Sequence, residues 1–197
     1  MAARRAIVSA IAIAITAASA MAQVVAQGAP IEARALPWAA KRLPASPDEC
    51  AVWRREQGFA RSVERHDAAA FESFLHAGTV FDVATPSAER GRESVLKSWT
   101  GIVEGKTIAL RWRPGIVSIG GEPTIAVSRG PYILQTIKDG VAVWRVGMFQ
   151  SVWVRDPKDA VWRVLFDGSA TTGQNVDDRA AADRWVEEQP MSDCVPG

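Results

Sequence analysis

Apolar residues recur with the period of an α-helix in the segment that follows Ser46. Ser46 is a favourable N-cap residue, Pro47 suits the first helical position, and Glu49 completes a capping box. The pattern therefore predicts a helix that begins at this box and packs one mostly apolar face on a core. That face carries Val52, Glu56, Phe59, Ala60 and Val63.

Two further helices are predicted downstream. Asp67 precedes three alanines, which identifies it as the N-cap of a second helix rather than as a catalytic acid. Gly78 is expected to end that helix. After a β-branched strand within 79–85, a third helix is expected to pack Val95 and Trp99 inward.

The segment from Lys106 to Asp167 alternates strand-like runs with Gly-Gly, Asp-Gly and Asp-Pro turn signals. Three helices followed by antiparallel strands predict an α+β fold, in which a curved antiparallel sheet wraps around three helices. A short C-terminal helix is expected to follow the sheet, capped by Asp177 or Asp178.

The last two predicted strands form a hairpin with an aromatic face. With Pro157 and Lys158 at its tip, side-chain alternation sets the cross-strand neighbours and places Asp167 on the opposite, mixed face. The neighbours on the aromatic face are Trp153 and Trp162, Ser151 and Val164, and Phe149 and Phe166. These residues are expected either to fill a core or to line a pocket for an apolar molecule.

The N-terminus has the features of a secretory signal peptide. An arginine pair precedes an apolar run over 6–18, which is shorter than the roughly 20 residues of a membrane span. Ala20 and Ala22 fit a cleavage site after the second of them. We therefore predict a signal peptide over 1–22, no stable membrane anchor after cleavage, and a periplasmic or secreted protein, with an uncleaved anchor as the alternative. Residues 23–45, rich in Ala, Pro and Gln, are expected to form a flexible leader.

Two cysteines, Cys50 and Cys194, lie at opposite ends of the predicted mature chain. An oxidising compartment permits a disulfide, so we predict that they form one. Free buried thiols and a redox or nucleophilic role are the alternatives.

Composition limits the classes of function. The chain has 197 residues, a formal net charge of +1 and 48% hydrophobic residues, which suits one globular domain. The arginines are spread along the chain, so nothing indicates a nucleic-acid surface. The two histidines, His66 and His76, have no metal-ligand spacing with the cysteines, and no motif indicates a metal site or a cofactor.

The order of elements and four motifs resemble the NTF2-like superfamily. The motifs are ERHDAAAFESFL, GRESVLKSW, GPYILQTIKDG and GMFQSVWVRDPKDAVWRVLFDGS. The sequence is most similar to the SnoaL-like, or DUF4440, group, with the domain assigned to 46–170 and a C-terminal extension with a short helix assigned to 171–197. Because the group mixes enzymes with proteins of no known activity, the resemblance implies a fold and not a reaction.

The resemblance also implies a cone with a ligand cavity between the helices and the inner face of the sheet, and a homodimer formed through the sheet. The expected ligand is a small apolar molecule. The residues expected to bind it are Phe59, Trp99, Tyr132, Phe149, Ser151, Trp153, Trp162, Val164 and Phe166.

Asp82 is the candidate catalytic residue. In ketosteroid isomerases an Asp moves the proton, while a Tyr and a protonated Asp hold the enolate oxygen. Matching this pattern places the base on Asp82, the Tyr on Phe59 and the second acid near Gly147, so both oxyanion donors are missing. One such donor contributes about 10²–10³ in rate, which excludes an ordinary steroid isomerase. Tyr132 or Arg145 could replace a donor. The alternatives for Asp82 are a strand-end residue that faces water and a role in binding alone.

Two functions therefore follow from the sequence. The first is an exported, non-catalytic protein that binds a small apolar molecule or a partner in its cone. The second is a SnoaL-like isomerase, cyclase or dehydratase that uses Asp82 as an acid/base. A polar group paired with Asp82 inside a cavity would favour the enzyme.

Overall fold

The computed structural model describes residues 42–83, 85–106 and 108–194. The predicted signal peptide and most of the predicted leader lie outside the described residues. The end of the predicted leader is described, and it forms the short strand β1 (Arg42–Leu43). Regular structure therefore begins before the capping box at Ser46.

Three helices form one layer of the fold. They are α1 (Pro47–Glu64), α2 (Ala68–Phe74) and α3 (Arg92–Val103). The predicted capping box is present, because Ser46 Oγ accepts a hydrogen bond from the N–H of Glu49 and Glu49 Oε2 accepts one from the N–H of Ser46. Asp67 caps α2 by accepting a hydrogen bond from the N–H of Ala70, which confirms its structural role.

The second layer is a curved, unclosed sheet of eight strands. The strands are β2 (Leu75–Phe81), β3 (Glu89–Arg90), β4 (Ala109–Trp112), β5 (Ile116–Ile119), β6 (Ile125–Lys138), β7 (Val141–Arg155), β8 (Trp162–Ser169) and β9 (Gln174–Val176). Their order is β3-β2-β8-β7-β6-β4, with β5 beside β6 and β9 beside β7. The α+β prediction is confirmed, with one difference: β2 and β8 are parallel, whereas the other neighbouring pairs are antiparallel.

The core lies between the helices and the inner face of the sheet. Phe59 of α1 is its centre, with ring centroids within 6.5 Å of five other aromatic side chains. Those five side chains are Phe71, Phe74, Phe81, Trp112 and Trp153. Among the helices of the described ranges, none is both long and apolar enough to cross a membrane.

The second helix ends earlier than the sequence predicts. It stops at Phe74, and Gly78 lies within β2 rather than at the helix end. Leu75 already has an extended backbone, is fully buried and pairs with Val164 of β8. Tertiary pairing of this buried leucine therefore overrides the glycine stop signal.

The hairpin register predicted from a two-residue tip is wrong. The first pair after the turn is Arg155 with Trp162, so the loop is longer, and Leu165 is an extra residue on β8 where the register shifts. As a result Ser151 pairs with Asp167, and Val152 pairs with Phe166. Asp167 lies on the inner face, and Phe166 lies on the outer face with 38% of its surface exposed.

The segment after residue 170 wraps around the sheet. Strand β9 pairs antiparallel with β7. Helix α4 (Arg179–Glu187) packs on the outer face of the sheet, where its Ala182 forms a small buried cluster with Ile133 and Val146. Asp178 caps α4, one of the two predicted caps. Strand β10 (Met191–Ser192) pairs in parallel with β1. The predicted disulfide between Cys50 and Cys194 is present, with Cα atoms 5.3 Å apart, and it joins the extension to α1.

Candidate functional site

The inner face of the sheet consists of rows of neighbouring residues on β6, β7 and β8. The rows, in order, are Ala126 with Trp153 and Val164; Ser128 with Ser151 and Asp167; Gly130 with Phe149 and Ser169; Tyr132 with Gly147; and Leu134 with Arg145. The first row is completely buried, and Arg145 in the last row is exposed. Beyond the first row, a cavity opens above the inner face of the sheet.

The cavity has a volume of about 470 Å³, which lies within the range of small-molecule sites. Its wall combines apolar and aromatic side chains with a few polar groups. The lining residues are Asp82, Trp99, Ile108, Leu110, Trp112, Tyr132, Leu134, Arg145, Phe149, Asp167, Gly168, Ser169, Thr171, Thr172 and Gly173.

Asp167 is the acidic group on the sheet side of the cavity. Its Oδ2 accepts a hydrogen bond of 2.6 Å from the hydroxyl of Ser151, which fixes the carboxyl group. Burial raises the pKa of Asp167 to about 7, the charge of Glu56 contributes in the same direction, and the hydrogen bond from Ser151 opposes them. Near neutral pH the group can therefore donate or accept a proton.

Glu56 lies behind Asp167 and is completely buried. Its two carboxyl oxygens each accept a hydrogen bond of 2.8 Å from an indole, Oε1 from Trp112 Nε1 and Oε2 from Trp153 Nε1. Burial raises the pKa of Glu56, and these two hydrogen bonds offset part of that effect. The Ser151 hydroxyl lies beside both acids, so the two carboxyl groups belong to one polar network under the cavity.

Asp82 directly follows β2, beside Gly168 of β8, and lines the same end of the cavity as Asp167. Its φ is 54°, a conformation uncommon for residues other than glycine. The turn is held because the carbonyl oxygen of Asp82 accepts hydrogen bonds from Thr85 N–H and Thr85 Oγ1. Burial raises the pKa of Asp82, and the charge of Glu89 raises it further. A constrained backbone of this kind is frequent at functional sites.

Tyr132 and Arg145 form the other polar end of the cavity. A Cβ on Gly147 would lie 2.6 Å from the Tyr132 hydroxyl, so the absence of a side chain there makes room for the phenol. A Cβ on Gly173 would lie 2.6 Å from the same hydroxyl and 2.7 Å from Arg145 Nε. Because these two glycines have no side chains, the Tyr132 hydroxyl and Arg145 Nε can pack directly against the backbone there.

The C-terminal extension supplies part of the wall. Thr171, Thr172 and Gly173 line the cavity just before β9 joins the sheet. Arg145 Nη2 donates a hydrogen bond of 3.0 Å to the carbonyl oxygen of Gly173, which ties this segment to β7. The site thus extends past the predicted domain end at residue 170.

The residues predicted to bind a ligand fall into three groups. Trp99, Tyr132 and Phe149 line the cavity, as does the candidate acid Asp82. Phe166 lies outside it, because the register shift at Leu165 turns its side chain to the outer face. The remaining residues are buried beneath the cavity and do not line it: Phe59, Ser151, Trp153, Trp162 and Val164.

The structure adds two acids that sequence reasoning missed. Asp167 was assigned to the mixed face because the bulge at Leu165 has no sequence signature. Glu56 did carry a signal, since it is an acidic residue on the otherwise apolar face of α1. Within the described ranges, no group of three or more His, Cys, Asp or Glu side chains is arranged to hold a metal ion.

No protein-family model matches the sequence, and no curated protein matches it. Solved structures do match. An NTF2-like superfamily protein from Salmonella enterica has 17% identity and a TM-score of 0.51, over 67% of this chain and 93% of that one. A ketosteroid isomerase-like protein from Erwinia carotovora has 10% identity and a TM-score of 0.53, over 65% and 100%. A scytalone dehydratase-like protein from Novosphingobium aromaticivorans has 15% identity and a TM-score of 0.53, over 66% and 89%. At these identities the similarity concerns the fold alone, and the chain has the NTF2-like fold that its sequence predicts.

Proposed function

We propose that the protein binds a small, mainly apolar molecule in the cavity above β6, β7 and β8. The observation that carries this proposal is the cavity of about 470 Å³ whose apolar wall holds Asp82, Asp167, Tyr132 and Arg145. Sites for small molecules are typically concave and mostly apolar, with a few polar groups that orient the ligand.

The cavity is distinct from the ordinary core. The rings around Phe59 fill the space next to the Trp153 row, whereas the rows from Phe149 to Arg145 have open space above them. A protein that used its inner face only for stability would gain by closing that space, because unfilled volume forfeits packing energy. The open rows are therefore better explained by a ligand than by packing.

The direct test is to fill the cavity. Leu134→Trp adds a large ring to the wall, and Ile137→Trp on the same strand is the matched control because Ile137 is 65% exposed. Apolar probes such as naphthalene should quench the fluorescence of Trp99 and Trp112, which line the wall. We expect L134W to weaken binding by about tenfold or more and I137W to leave it unchanged. Equal binding by both variants would contradict the proposal.

A second candidate function is proton transfer on the bound molecule, as in an isomerase, cyclase or dehydratase. The observation that favours it is the pKa of Asp167, raised to about 7, in a cavity that also contains Asp82. A general acid/base works best when its pKa is close to the working pH. Asp82 is the base expected from the sequence, and Asp167 is the partner that the structure brings next to the same cavity.

Hydrogen exchange tests this candidate without knowledge of the substrate. A cyclic enone incubated with the protein in D₂O should exchange its acidic C–H protons, followed by NMR. Asp167→Asn and Asp82→Asn should each abolish the catalysed exchange while naphthalene still binds. Binding with no exchange above the buffer rate would leave binding as the function.

We also propose that the protein is exported, as the N-terminal sequence indicates. The Cys50–Cys194 disulfide supports this, since such bonds persist in oxidising compartments. N-terminal sequencing of the mature protein from a periplasmic extract should begin at Gln23. An intact N-terminus in the cytosol would contradict export.

We further propose that the protein forms a homodimer through the outer face of its sheet. Helix α4 covers one part of the outer face, and the rest exposes Ile125, Val127 and Phe166. Val127 lies across from Val152, which pairs with Phe166, so these apolar residues are contiguous. Val127→Glu should shift the mass in sedimentation equilibrium from dimer to monomer; a wild-type monomer would contradict this part.

A further inference from the structure

The charged groups of the cavity are segregated toward opposite ends. Asp167 belongs to the row of Ser151, and Arg145 lies six residues away along β7, a distance of about 20 Å between Cα atoms on an extended strand. Asp82 packs against the Asp167 side, where its charge affects the pKa of Asp167. Among the described residues that line the cavity, Arg145 is the basic one. The cavity therefore has an acidic end and a basic end.

The basic end presents two hydrogen-bond donors to one point. A Cβ on Gly173 would lie 2.6 Å from the Tyr132 hydroxyl and 2.7 Å from Arg145 Nε, so the two donors lie close together against the backbone of Gly173. Arg145 is oriented by the hydrogen bond from its Nη2 to the carbonyl oxygen of Gly173, and both Tyr132 and Arg145 line the cavity. In the part of the chain that the structure describes, no carboxylate lies within salt-bridge distance of Arg145.

A guanidinium and a phenol at one point fit an oxyanion. Arginine N–H groups match the planar geometry of a carboxylate, and hydrogen bonds to a charged group are stronger than neutral ones. Arg145 is exposed, so the anionic group would keep part of its hydration and would lose little solvation energy on binding. The acidic end offers no basic partner among the described lining residues, so the carboxylate should bind at the Arg145 end.

Between the two ends the wall is apolar. The rows between those of Arg145 and Asp167 carry Trp112 and Phe149, whereas Leu110 and Leu134 lie beside Arg145 in its own row. These apolar side chains suit a hydrocarbon body rather than a sugar or a peptide. We propose that the ligand is an elongated amphipathic carboxylate, whose carboxylate is held by Tyr132 and Arg145 and whose apolar body extends along these residues toward Asp167. This inference rests on the proposed binding function and adds the chemical class of the ligand.

The experiment compares octanoate with 1-octanol by isothermal titration calorimetry near neutral pH. The two probes share a chain and differ in the head group. Wild-type protein should bind octanoate about tenfold more tightly than octanol. Arg145→Met should weaken octanoate binding about tenfold and change octanol binding less than about twofold, and Tyr132→Phe should have a smaller effect in the same direction.

Two further variants make the result specific. Arg129→Met removes the same charge from the outer face of β6 and should leave both affinities unchanged. Arg145→Lys keeps the charge but loses the planar N–H groups, so its preference for octanoate should lie between those of wild type and R145M. Thermal unfolding of each variant shows whether it is folded.

The outcomes separate the two proposals. Equal affinity for both probes in wild type, or an octanoate preference that survives R145M, would overturn the carboxylate inference while binding in the cavity stands. If neither probe binds and naphthalene does, the inference is again overturned and the binding function is retained. If nothing binds, both fail.

Discussion

The aromatic core and the cavity are built on the same three strands, yet one is closed and the other is open. At the Trp153 row, the indole lies against Phe59 with no exposure, and Ala126 and Val164 complete a dry layer. Three rows further along the strands, Gly147 pairs with Tyr132, and Tyr132 lines the open cavity.

The difference comes from side-chain size and charge at inward positions. The Trp153 row packs against the rings around Phe59, whereas the wall further along the strands presents Asp167, Tyr132 and Arg145 to the cavity. The polar network of Glu56, Ser151 and Asp167 marks the border between the two regions. Packing residues on one side of this border should therefore control stability, and residues on the other side should control binding.

The largest expected effect is on the closed side. Trp153→Ala should lower the free energy of unfolding by about 4 kcal/mol, because it leaves a large void and removes an indole donor from the buried Glu56. Leu134→Ala, on the wall of the cavity, should cost only about 1 kcal/mol because its side chain is half-buried. Urea unfolding measures both. Equal costs would mean that the two regions do not differ as described.

The disulfide gives the next largest effect, and it should act on both regions. Replacing Cys50 and Cys194 by serine should lower stability by about 3 kcal/mol, because the bridge closes a loop with a sequence separation of 144. The same change releases the extension that carries Thr171 and Gly173, so ligand affinity should fall as well. Wild-type protein treated with a reductant is the control. Unchanged affinity would show that β9 and α4 hold the wall without the bridge.

The sequence was sufficient for the elements that depend on local chemistry. The capping box at Ser46, the Asp67 cap and the order of helices and strands all follow from residue types at fixed spacings. The resemblance to NTF2-like proteins then supplied the arrangement of these elements. It also explains why the Cys50–Cys194 pair was easy to predict, since these are the chain's two cysteines.

The site could be predicted only in part, because it depends on register. The extra residue at Leu165 turns Asp167 to the inner face and Phe166 to the outer face, the reverse of the predicted arrangement. No residue type in the hairpin predicts that bulge. The parallel pairing of β2 with β8, which brings Asp82 near Asp167, is likewise a tertiary feature. The contribution of Thr171 to the wall depends on the pairing of β9, which lies beyond the motifs of the resembling family.

At the border between the two regions, the stability of the protein should depend on pH through Asp167. The pKa of Asp167 rises from its ordinary value of 3.8 to about 7 in the folded protein. Between these values the native state holds a proton that the unfolded chain releases, so stability falls as pH rises through this window and levels off above it. Because one pKa unit corresponds to about 1.4 kcal/mol, stability should drop by about 2.7 kcal/mol between about pH 5 and about pH 8.

Asp167→Asn isolates the contribution of that carboxyl. The variant cannot bind the extra proton, so its urea-unfolding stability should change much less over the same window. Asp159→Asn is a control on the exposed surface, where a hydrogen bond from Arg163 lowers the pKa of Asp159 to about 2, outside the window. A wild-type profile without the drop, or a D167N profile with the same drop, would refute the assignment of the shifted group.

The smallest effect on stability is expected on the open side, at Asp82. Asparagine adopts positive φ more readily than most residues and nearly matches aspartate in shape, so Asp82→Asn should change stability by less than about 0.5 kcal/mol. Asp82→Ala, which tolerates φ of 54° poorly, should cost about 1 kcal/mol, and Asp82→Gly should cost less than alanine. Any catalysed hydrogen exchange should nevertheless disappear in all three, because each lacks the carboxylate. Exchange that persists in D82N would show that Asp82 serves the turn at the end of β2 and that Asp167 carries the chemistry alone.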